Sequence, residues 1–317
     1  MIKFLEMREH LKSDRYNCLC LFGNDAWVRR KAVSNVCDAL NVPNDGFSVD
    51  YLDNPTFGEI KLACLTPALF CDVKVVVCEN FAVPQGFKQQ AFKSDLYDLV
   101  NYSDDSFCLV FVVDSDKGFD VEGVEKVNCN RLDKDSVCKW IISYGKRQQV
   151  TIERNVAERL AQYCLNDMSR ISIETQKLID YGEVSLDSIE QLVHKDAEYV
   201  VYDLSQVIAR RNVSRALELY RGLVARGEEP RALFGLLYNF YRRAYYVKTT
   251  NGSNDSLANM LGVRPAAIDF AKDTANRYKP MQLKRALECF DQADSKIKSF
   301  LDENEVMTFL IMQLVAL

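Results

Sequence analysis

The sequence lacks the residue sets on which common catalytic and metal sites are built. Only two histidines occur among the 317 residues, and neither lies near a cysteine pair, so the sequence predicts no zinc site. Gly-x-Ser-x-Gly and His-Glu-x-x-His are both absent, which removes two widespread hydrolase motifs. No apolar run reaches the length that a membrane span requires. We therefore expect a soluble protein with no catalytic set and no cofactor.

Cysteine is plentiful by contrast, but it forms no regular framework. The chain has eleven cysteines, an odd number, and no Cys-x-x-Cys pair. Cys78, Cys108 and Cys129 lie in or beside apolar runs, where cysteine acts as a small hydrophobic side chain. This usage predicts a reducing compartment, the cytoplasm, rather than a secreted fold.

A phosphate-binding lysine is missing at the place where the strand and helix pattern would put it. The apolar strand Cys18–Phe22 leads through Gly23-Asn24-Asp25 into a helix. A P-loop would place Gly-x-x-x-x-Gly-Lys-Ser/Thr here, so that backbone N–H groups and the lysine hold phosphates. This chain has one glycine, an acid and the bulky Trp27 instead. The sequence predicts the topology of a nucleotide-binding domain without its chemistry.

Residues 1–132 alternate strand and helix patterns, which predicts an α/β domain. Val73–Cys78 and Phe107–Val113 are almost unbroken apolar runs, typical of strands buried on both faces of a parallel sheet. Met1–Phe4 is expected to begin an amphipathic helix. The remaining strands are predicted at Cys18–Phe22, Phe47–Leu52 and Val124–Cys129, four or five in total, and the helices at Asp25–Leu40, Thr56–Cys64 and Phe87–Asn101.

Strand patterns stop after Arg131. Four short helices, the first capped by Asp133 and closed by Gly145, predict a small helical domain over 133–198. Longer amphipathic helices, including one that begins at Pro230, predict an all-α domain over 199–317. The other predicted helices are Arg154–Leu165, Ser169–Tyr181, Asp187–Val193, Ser256–Leu261, Pro265–Asn276, Met281–Phe300 and Glu303–Leu317.

Charge is unevenly distributed along the chain. The formal net charge is −5, yet residues 211–317 hold 16 basic and 12 acidic side chains, a net charge of +4. This excess leaves two interpretations open, an anionic partner or a solvated helix surface.

The pairs Arg29-Arg30 and Arg242-Arg243 are expected to be solvated. Asp114-Ser115-Asp116 ends a strand where an ATPase would hold magnesium, but without a P-loop it is expected to turn the chain.

The stretch Leu65-Thr66-Pro67-Ala68-Leu69-Phe70 separates a short helix from a buried strand. Pro67 stiffens the turn, and two large apolar side chains follow it. Spacing alone leaves two interpretations open. Leu69 and Phe70 either fill the core of their own domain or form an exposed plug for a pocket on another protein.

The chain resembles, over nearly its whole length, the delta subunit family of the bacterial DNA polymerase III clamp loader. The resemblance lies in the order and spacing of short motifs. They are Leu19-Cys20-Leu21-Phe22-Gly23-Asn24-Asp25, Pro67-Ala68-Leu69-Phe70, Trp140-Ile141, Ile189-Glu190-Gln191-Leu192-Val193, Tyr202-Asp203-Leu204 with Ala209, Ala216-Leu217-Glu218-Leu219, Gly227-Glu228-Glu229-Pro230, Leu257-Ala258-Asn259-Met260-Leu261-Gly262-Val263 and Ala293-Asp294-Ser295-Lys296-Ile297-Lys298.

The resemblance implies three domains and no enzymatic activity of the chain by itself. These are an AAA+-like α/β domain without a functional P-loop (1–132), a small helical lid domain (133–198) and an all-α collar domain for oligomerisation (199–317). Implied partners are the sliding clamp, the gamma/tau ATPase subunits, the delta-prime subunit and, through the assembled loader, primer-template DNA. No membrane or cofactor is implied.

The resemblance also implies how the clamp is bound. In this family a Leu-Phe plug enters a pocket on the clamp, and that role falls here to Leu69 and Phe70, with Thr66 and Pro67 shaping the turn. Some family members begin the motif with glutamine, where this chain has Leu65. Two other classes stay open, a non-catalytic helical scaffold or adaptor and a divergent nucleotide-binding ATPase.

Overall fold

The structure, a computed structural model, describes residues 1–45, 48–68, 71–82, 87–101, 106–115, 117–299 and 301–317. The chain divides into two compact units, Met1–Trp140 and Ile141–Leu317. The first unit is built on a parallel β-sheet, and the second is helical throughout its described part.

Six strands form one sheet within the described part of the first unit, in the order β1-β6-β2-β5-β4-β3. All of the strand pairs are parallel. The long runs predicted as doubly buried strands are buried almost without interruption, because helices cover both faces of a parallel sheet. The strands are β1 (Ile2–Lys3), β2 (Cys18–Phe22), β3 (Val49–Asp53), β4 (Lys74–Glu79), β5 (Phe107–Val113) and β6 (Glu125–Asn128).

An aromatic cluster of strand, helix and loop residues packs against the sheet of the first unit. The ring of Phe81 lies 4.8 Å from that of Phe111, and Phe119 lies 5.1 Å from the same ring between centroids. Such tilted and edge-on contacts stabilise a core beyond the burial of apolar area. The helices are α1 (Met7–Ser13), α2 (Ala26–Leu40), α3 (Phe57–Leu65), α4 (Phe87–Asn101) and α5 (Lys134–Arg147), which contains the unit boundary.

The cysteines in or directly after the strands behave as small hydrophobic side chains, as predicted. Cys78, Cys108 and Cys129 are all buried. Burial raises the pKa of both Cys108 and Cys129 to about 12, because a thiolate loses its hydration there. These thiols therefore stay protonated at neutral pH.

The prediction that Met1–Phe4 begins an amphipathic helix is wrong. Ile2 and Lys3 form a short edge strand, in which Ile2 pairs with Val127 of β6, and the helix begins only at Met7. Two residues are too few for periodicity to distinguish a strand from a helix. The burial of Ile2 and Phe4 against the sheet decides the conformation instead.

The second unit is an assembly of amphipathic helices. Its longest helix begins with Pro230 at its first position, as predicted. Leu233, Leu237, Phe240 and Ala244 are buried on one face of that helix. The helices are α6 (Arg154–Tyr163), α7 (Met168–Tyr181), α8 (Leu186–Leu192), α9 (Ala197–Ala209), α10 (Val213–Ala225), α11 (Pro230–Thr249), α12 (Asn254–Leu261), α13 (Pro265–Ala275), α14 (Pro280–Lys298) and α15 (Glu303–Ala316).

Gly145 does not close α5, contrary to the prediction. The helix continues to Arg147, and Gly145 instead allows a close approach of the following turn. A Cβ atom at this position would lie 2.7 Å from Cδ1 of Ile152 and 2.8 Å from the carbonyl oxygen of Val150. The glycine is required by packing rather than by a left-handed cap.

Asp196 connects three helices of the second unit near the predicted boundary between 133–198 and 199–317. One carboxylate oxygen caps α9 by accepting the N–H of Glu198 at 3.0 Å. The other lies 2.9 Å from Arg170 of α7 and 3.0 Å from Arg264, which precedes α13. Arg264 also lies 3.6 Å from Asp167. The Asp196 side chain is 15% exposed, so solvent screens these pairs only in part.

The prediction that the pairs Arg29-Arg30 and Arg242-Arg243 are solvated is wrong for one arginine of each pair. Arg243 is 8% exposed and lies 3.1 Å from Glu198. Arg29 is mostly buried and pairs with Asp114 at 3.0 Å. In each pair one arginine carries a structural ion pair and its neighbour faces solvent.

Among the described helices, none has both the length and the apolar content of a membrane span.

Candidate functional site

The site predicted to bind a partner follows α3 and precedes β4. Thr56 and Glu59 fix the start of α3 through a capping box, in which the Thr56 N–H donates to Glu59 at 2.7 Å and the Glu59 N–H donates back at 3.4 Å. Ile60, Ala63 and Cys64 bury the inner face of the helix in the sheet unit. The helix is therefore held at its first turn and along one side.

The carboxyl end of α3 leads the chain to the surface. The N–H and hydroxyl groups of Thr66 both donate to the Leu62 carbonyl oxygen, at 3.0 and 2.7 Å. Pro67 follows and cannot continue the helix. Leu65, Thr66 and Pro67 are exposed. Leu69 and Phe70, the predicted plug, lie outside the described residues.

The first strand residue after this connection is also fixed. Lys74 begins β4, is only 7% exposed, and lies 2.7 Å from the carboxylate of Asp50 on β3. Its N–H donates to the Ser106 carbonyl oxygen at 2.9 Å. Losing the Asp50 carboxylate would leave the buried Lys74 ammonium with little hydration to replace this ion pair. The sequence analysis missed this pair, although a lysine inside the run Val73–Cys78 was its visible signal.

Two leucines of α3 face solvent beside the predicted site. Leu62 is 70% exposed and Leu65 is 62% exposed. Gly58 lies one turn before Leu62, and a Cβ atom there would meet nothing within 4 Å. Positions i, i+4 and i+7 fall within about 60° of one another on a helix, so these residues form one stripe. We call it the outer face of α3. Sequence reasoning missed it because exposure depends on what the other elements cover.

The turn where a P-loop would lie is at the opposite end of the strands, at the carboxyl end of β2. Gly23 has φ +150°, and a Cβ atom there would lie 2.2 Å from the carbonyl carbon of Cys129. The Asn24 N–H donates to the Asn130 side chain at 3.1 Å, and the Arg131 N–H donates to the Asn24 side chain at 3.0 Å. The turn is packed against the segment that follows β6.

The amino end of α2 is occupied by groups of the chain itself. The Asp25 carboxylate accepts the N–H groups of Trp27 and Val28, at 2.9 and 3.0 Å. Those are the donors that a helix amino terminus offers to a phosphate. Arg29 donates to the Gly23 carbonyl oxygen and to Asp114. An incoming phosphate would meet a carboxylate where it needs hydrogen-bond donors.

Asp114 therefore takes part in a structural ion pair at the end of β5. Its neighbour Ser115 accepts the N–H of Lys117 at 3.4 Å, as in a turn. The third residue of the predicted turn, Asp116, lies outside the described residues. The Trp27 ring packs edge-on against Trp140 at 5.1 Å between centroids. That contact gives Trp27 a packing role.

Comparison with known proteins finds similarity to one group of bacterial replication proteins. Residues 198–314 match the family described as DNA polymerase III delta subunit, C-terminal domain. The chain is 23% identical over 193 residues to DNA polymerase III subunit delta of Bacillus subtilis, covering 59% of this chain and 56% of that protein. It is 22% identical over 136 residues to the probable subunit delta of Aquifex aeolicus, covering 41% and 39% of the two chains. The matches thus span about half or less of each relative's length.

The fold agrees over the full length. The solved structure of the Bacillus subtilis DNA clamp loader delta protein superimposes with a TM-score of 0.73 at 19% identity, covering 99% of this chain and 100% of that one. The mixed α/β fold with a parallel sheet and many helices is therefore shared. Residues 198–314 thus match the C-terminal domain model of the DNA polymerase III delta subunits, and the chain shares its fold with the Bacillus subtilis DNA clamp loader delta protein.

Proposed function

We propose that this chain is the delta subunit of a bacterial clamp loader, which binds and opens a sliding clamp without hydrolysing ATP itself. One observation carries the proposal beyond the family match. The helix α3 is fixed at its first turn by a capping box, and the exposed residues at its carboxyl end, Leu65 to Pro67, precede the dipeptide Leu69-Phe70 in the sequence. A rigid element of this kind limits the entropy lost when an attached segment binds a partner.

The proposed division of labour follows the three predicted domains. Residues 1–132 form an AAA+-like domain that contacts the clamp, residues 133–198 a lid, and residues 199–317 a collar that joins the gamma/tau ATPase subunits and the delta-prime subunit. We place the basic excess of residues 211–317 near primer-template DNA within the assembled loader, because DNA is an anionic partner. The assembly acts in the bacterial cytoplasm.

The occupied amino end of α2 supports a non-catalytic role. Asp25 supplies a negative charge where a triphosphate would bind, and the chain has no lysine where a P-loop would have one. Equilibrium dialysis of the purified chain with labelled ATP tests this directly. We expect no binding at micromolar ATP, and saturable micromolar binding would favour the alternative, a divergent nucleotide-binding ATPase.

The proposed mechanism is a shift in the clamp's own equilibrium. A ligand shifts a conformational equilibrium only by its difference in affinity for the two states. The plug therefore binds an opened or strained clamp interface more tightly than a closed one. Nucleotide binding by neighbouring ATPase subunits controls whether the plug is accessible.

The energy of the plug alone is modest. Burying one leucine and one phenylalanine contributes roughly 1.5–3 kcal/mol each. The sum is close to the ~4 kcal/mol of a millimolar complex. A useful complex with the clamp therefore requires additional contact area around the plug.

A binding assay with the organism's sliding clamp tests the proposal. The wild-type chain and the double variant Leu69→Ala, Phe70→Ala are compared for retention on immobilised clamp, with thermal unfolding as the folding control. We expect the wild type to be retained and the double variant to be lost while its melting temperature stays unchanged. Equal retention of both would refute the plug, a large drop in melting temperature would identify the dipeptide as core, and no retention of the wild type would favour the scaffold alternative.

A further inference from the structure

An open cavity of about 370 Å³ lies in the first unit, between α1, α2 and the amino ends of β2 and β5. Protein interiors are otherwise close-packed, with few voids larger than a water molecule. Cavities of roughly 300–1,000 Å³ with apolar walls and a few polar groups are typical of small-molecule sites. The apolar wall of this cavity is formed by six aliphatic side chains, those of Leu11, Leu19, Val36, Ala39, Leu40 and Val73.

The cavity is separate from the turn where a P-loop would lie. Leu19 and Cys108 line it and are the second residues of β2 and β5, so it lies at the amino ends of these parallel strands. Ligands of open α/β sheets usually bind outside the carboxyl ends of the strands, which is where Gly23 follows β2. A ligand in this cavity would therefore not meet the groups that occupy the P-loop position.

The inner part of the cavity suits an apolar group. Leu19 and Val36 are 0% and 1% exposed, and the Cys108 thiol donates to the Tyr16 carbonyl oxygen at 3.3 Å. Leu11 and Ala39, which also line the cavity, are only half-buried. An apolar ligand that rests on the buried floor would cover these half-buried side chains and gain their burial.

Two cationic side chains stand at the rim of the cavity. Lys12 and Arg15 both line it and are exposed. Burial raises the pKa of Cys108, and the positive charge of Arg15 partly offsets this rise. The guanidinium group therefore lies close enough to act on the floor of the cavity as well as on its mouth.

The negative groups around the rim are already engaged by the chain. Asp14 is the one carboxylate among the described residues that line the cavity, and it accepts the Ser13 hydroxyl at 3.0 Å. Burial and then the charge of Asp14 raise the pKa of Tyr16, so the phenol stays protonated beside that carboxylate. The carboxylate is thus satisfied by hydroxyl groups, whereas a ligand would meet the two cations.

The carbonyl groups at the two nearby helix ends are also occupied. The His10 carbonyl oxygen of α1 accepts the Asp14 N–H at 2.9 Å and the Ser13 hydroxyl at 3.1 Å. The Cys37 carbonyl oxygen of α2 accepts the Val42 N–H at 3.0 Å. Free carbonyl groups at a helix carboxyl end would disfavour an anion. Because these are hydrogen-bonded, the full charges of the rim side chains decide which ligand charge is attracted.

We propose that this cavity binds a small amphiphilic carboxylate, with its apolar body against Leu19 and Val36 and its anionic head at Lys12 and Arg15. The inference goes beyond the proposed function and does not rest on it. Hydrogen bonds between a charged donor and a carboxylate are about twice as strong as neutral ones. The site should therefore prefer a carboxylate to an uncharged molecule of the same shape.

Isothermal titration calorimetry of the full-length chain tests the ligand class. The probes are naphthoate with a rigid aromatic body, decanoate with a flexible alkyl body, and naphthalenemethanol as the uncharged counterpart of naphthoate. We expect at least one of the two carboxylates to bind with a dissociation constant of about 0.1 mM, which ligand efficiency allows for molecules of this size. We expect the alcohol to bind about tenfold more weakly than naphthoate. Binding of neither carboxylate would refute the site, and equal binding of naphthoate and the alcohol would refute the anionic class.

Ala39→Leu separates ligand binding from folding. The larger side chain enters the cavity, leucine is nearly as favourable as alanine in a helix, and filling a cavity commonly stabilises a protein. We expect carboxylate binding to weaken at least tenfold while the melting temperature is unchanged or higher. Unchanged binding would overturn the proposal. A fall in melting temperature of many degrees would show that position 39 faces no open space, and this outcome would overturn it as well.

The double variant Lys12→Gln, Arg15→Gln tests the anionic head. It should weaken carboxylate binding about tenfold and leave binding of naphthalenemethanol unchanged, a difference that a purely structural role of the two side chains would not produce. Lys61→Gln, which removes another exposed lysine of the first unit, should bind both probes as the wild type does. An equal loss for carboxylate and alcohol in the double variant would overturn the assignment of the head.

Methyl NMR spectroscopy tests the location of the site. In a chain with labelled valine methyl groups, a saturating carboxylate should shift the resonances of Val36 and Val73, which line the cavity. The resonance of Val315, buried on α15 of the second unit, serves as the control and should stay in place. Shifts that leave Val36 and Val73 unaffected would place the ligand elsewhere and refute the cavity as its site.

Discussion

Replacing Asp196 by alanine should destabilise the second unit by about 2–3 kcal/mol. The loss of the α9 cap costs about 1 kcal/mol. The two partly buried ion pairs with Arg170 and Arg264 contribute about 0.5–1 kcal/mol each. Both arginines keep one other contact, to the His194 carbonyl oxygen and to Asp167 respectively, which limits the penalty. For a unit of this size the melting temperature should fall by about 5–10 °C.

The assay exploits the distribution of tryptophan. The chain has two tryptophans, Trp27 and Trp140, and both belong to the first unit. Far-UV circular dichroism reports the helices of both units, the larger share of which lies in the second, whereas tryptophan fluorescence reports the surroundings of Trp27 and Trp140. Asp196→Ala should lower the midpoint of the dichroism transition by at least as much as that of the fluorescence transition.

Two further substitutions separate the cap from the charge. Asp196→Asn keeps a good helix cap but removes the ion pairs, so it should cost about 1–2 kcal/mol. Glu158→Gln breaks an exposed pair with Arg154 on α6 and should stay within about 0.5 kcal/mol of the wild type. A shift below 1 °C for Asp196→Ala, or equal shifts for Asp196→Asn and Glu158→Gln, would show that Asp196 does not connect the helices energetically.

Two other predictions concern the first unit. Gly23→Ala should lower its unfolding free energy by roughly 3 kcal/mol or more, because the new Cβ would overlap the Cys129 backbone at 2.2 Å. The matched variant Gly58→Ala, in open space, should be neutral or stabilising, and equal melting temperatures of the two would contradict the packing argument. The pKa of Glu59 is lowered by hydrogen bonds from the Thr56 N–H and then from its hydroxyl. The stabilisation from this carboxylate is therefore present above its ordinary pKa of 4.5 and is lost as the pH falls through the lowered value. The difference in stability between wild type and Glu59→Gln should shrink on acidification, and a difference that grows instead would refute the assignment.

Sequence patterns predicted the fold well where one physical signal dominated. The strand Phe107–Val113 and the helix Phe87–Asn101 have the predicted bounds. A long apolar or amphipathic segment is compatible with only one type of secondary structure. Gly182 ends α7 with φ +91°, as a glycine after a periodic helix predicts. Gly145 shows the limit. The same residue type there serves a close contact with Ile152, which no local pattern reveals.

The sequence placed Leu65, Thr66 and Pro67 between a short helix and a buried strand, and they lie there in the structure. Their exposure was left open by the spacing of the motif. Leu62 and the Lys74–Asp50 pair were missed, since both depend on which elements of the sheet unit lie beside them. Whether Leu69 and Phe70 form the plug stays a prediction.

The turn at Gly23 has a consequence for the history of such a domain. Inserting a lysine would not revive phosphate binding, because Asp25 would still hold the amide donors and the Cys129–Asn130 backbone would still fill the space beside the turn. Phosphate binding at this turn would require several simultaneous substitutions, and Asp25→Ala alone would cost a helix cap before it conferred any advantage. No single substitution at this turn therefore converts it into a phosphate site.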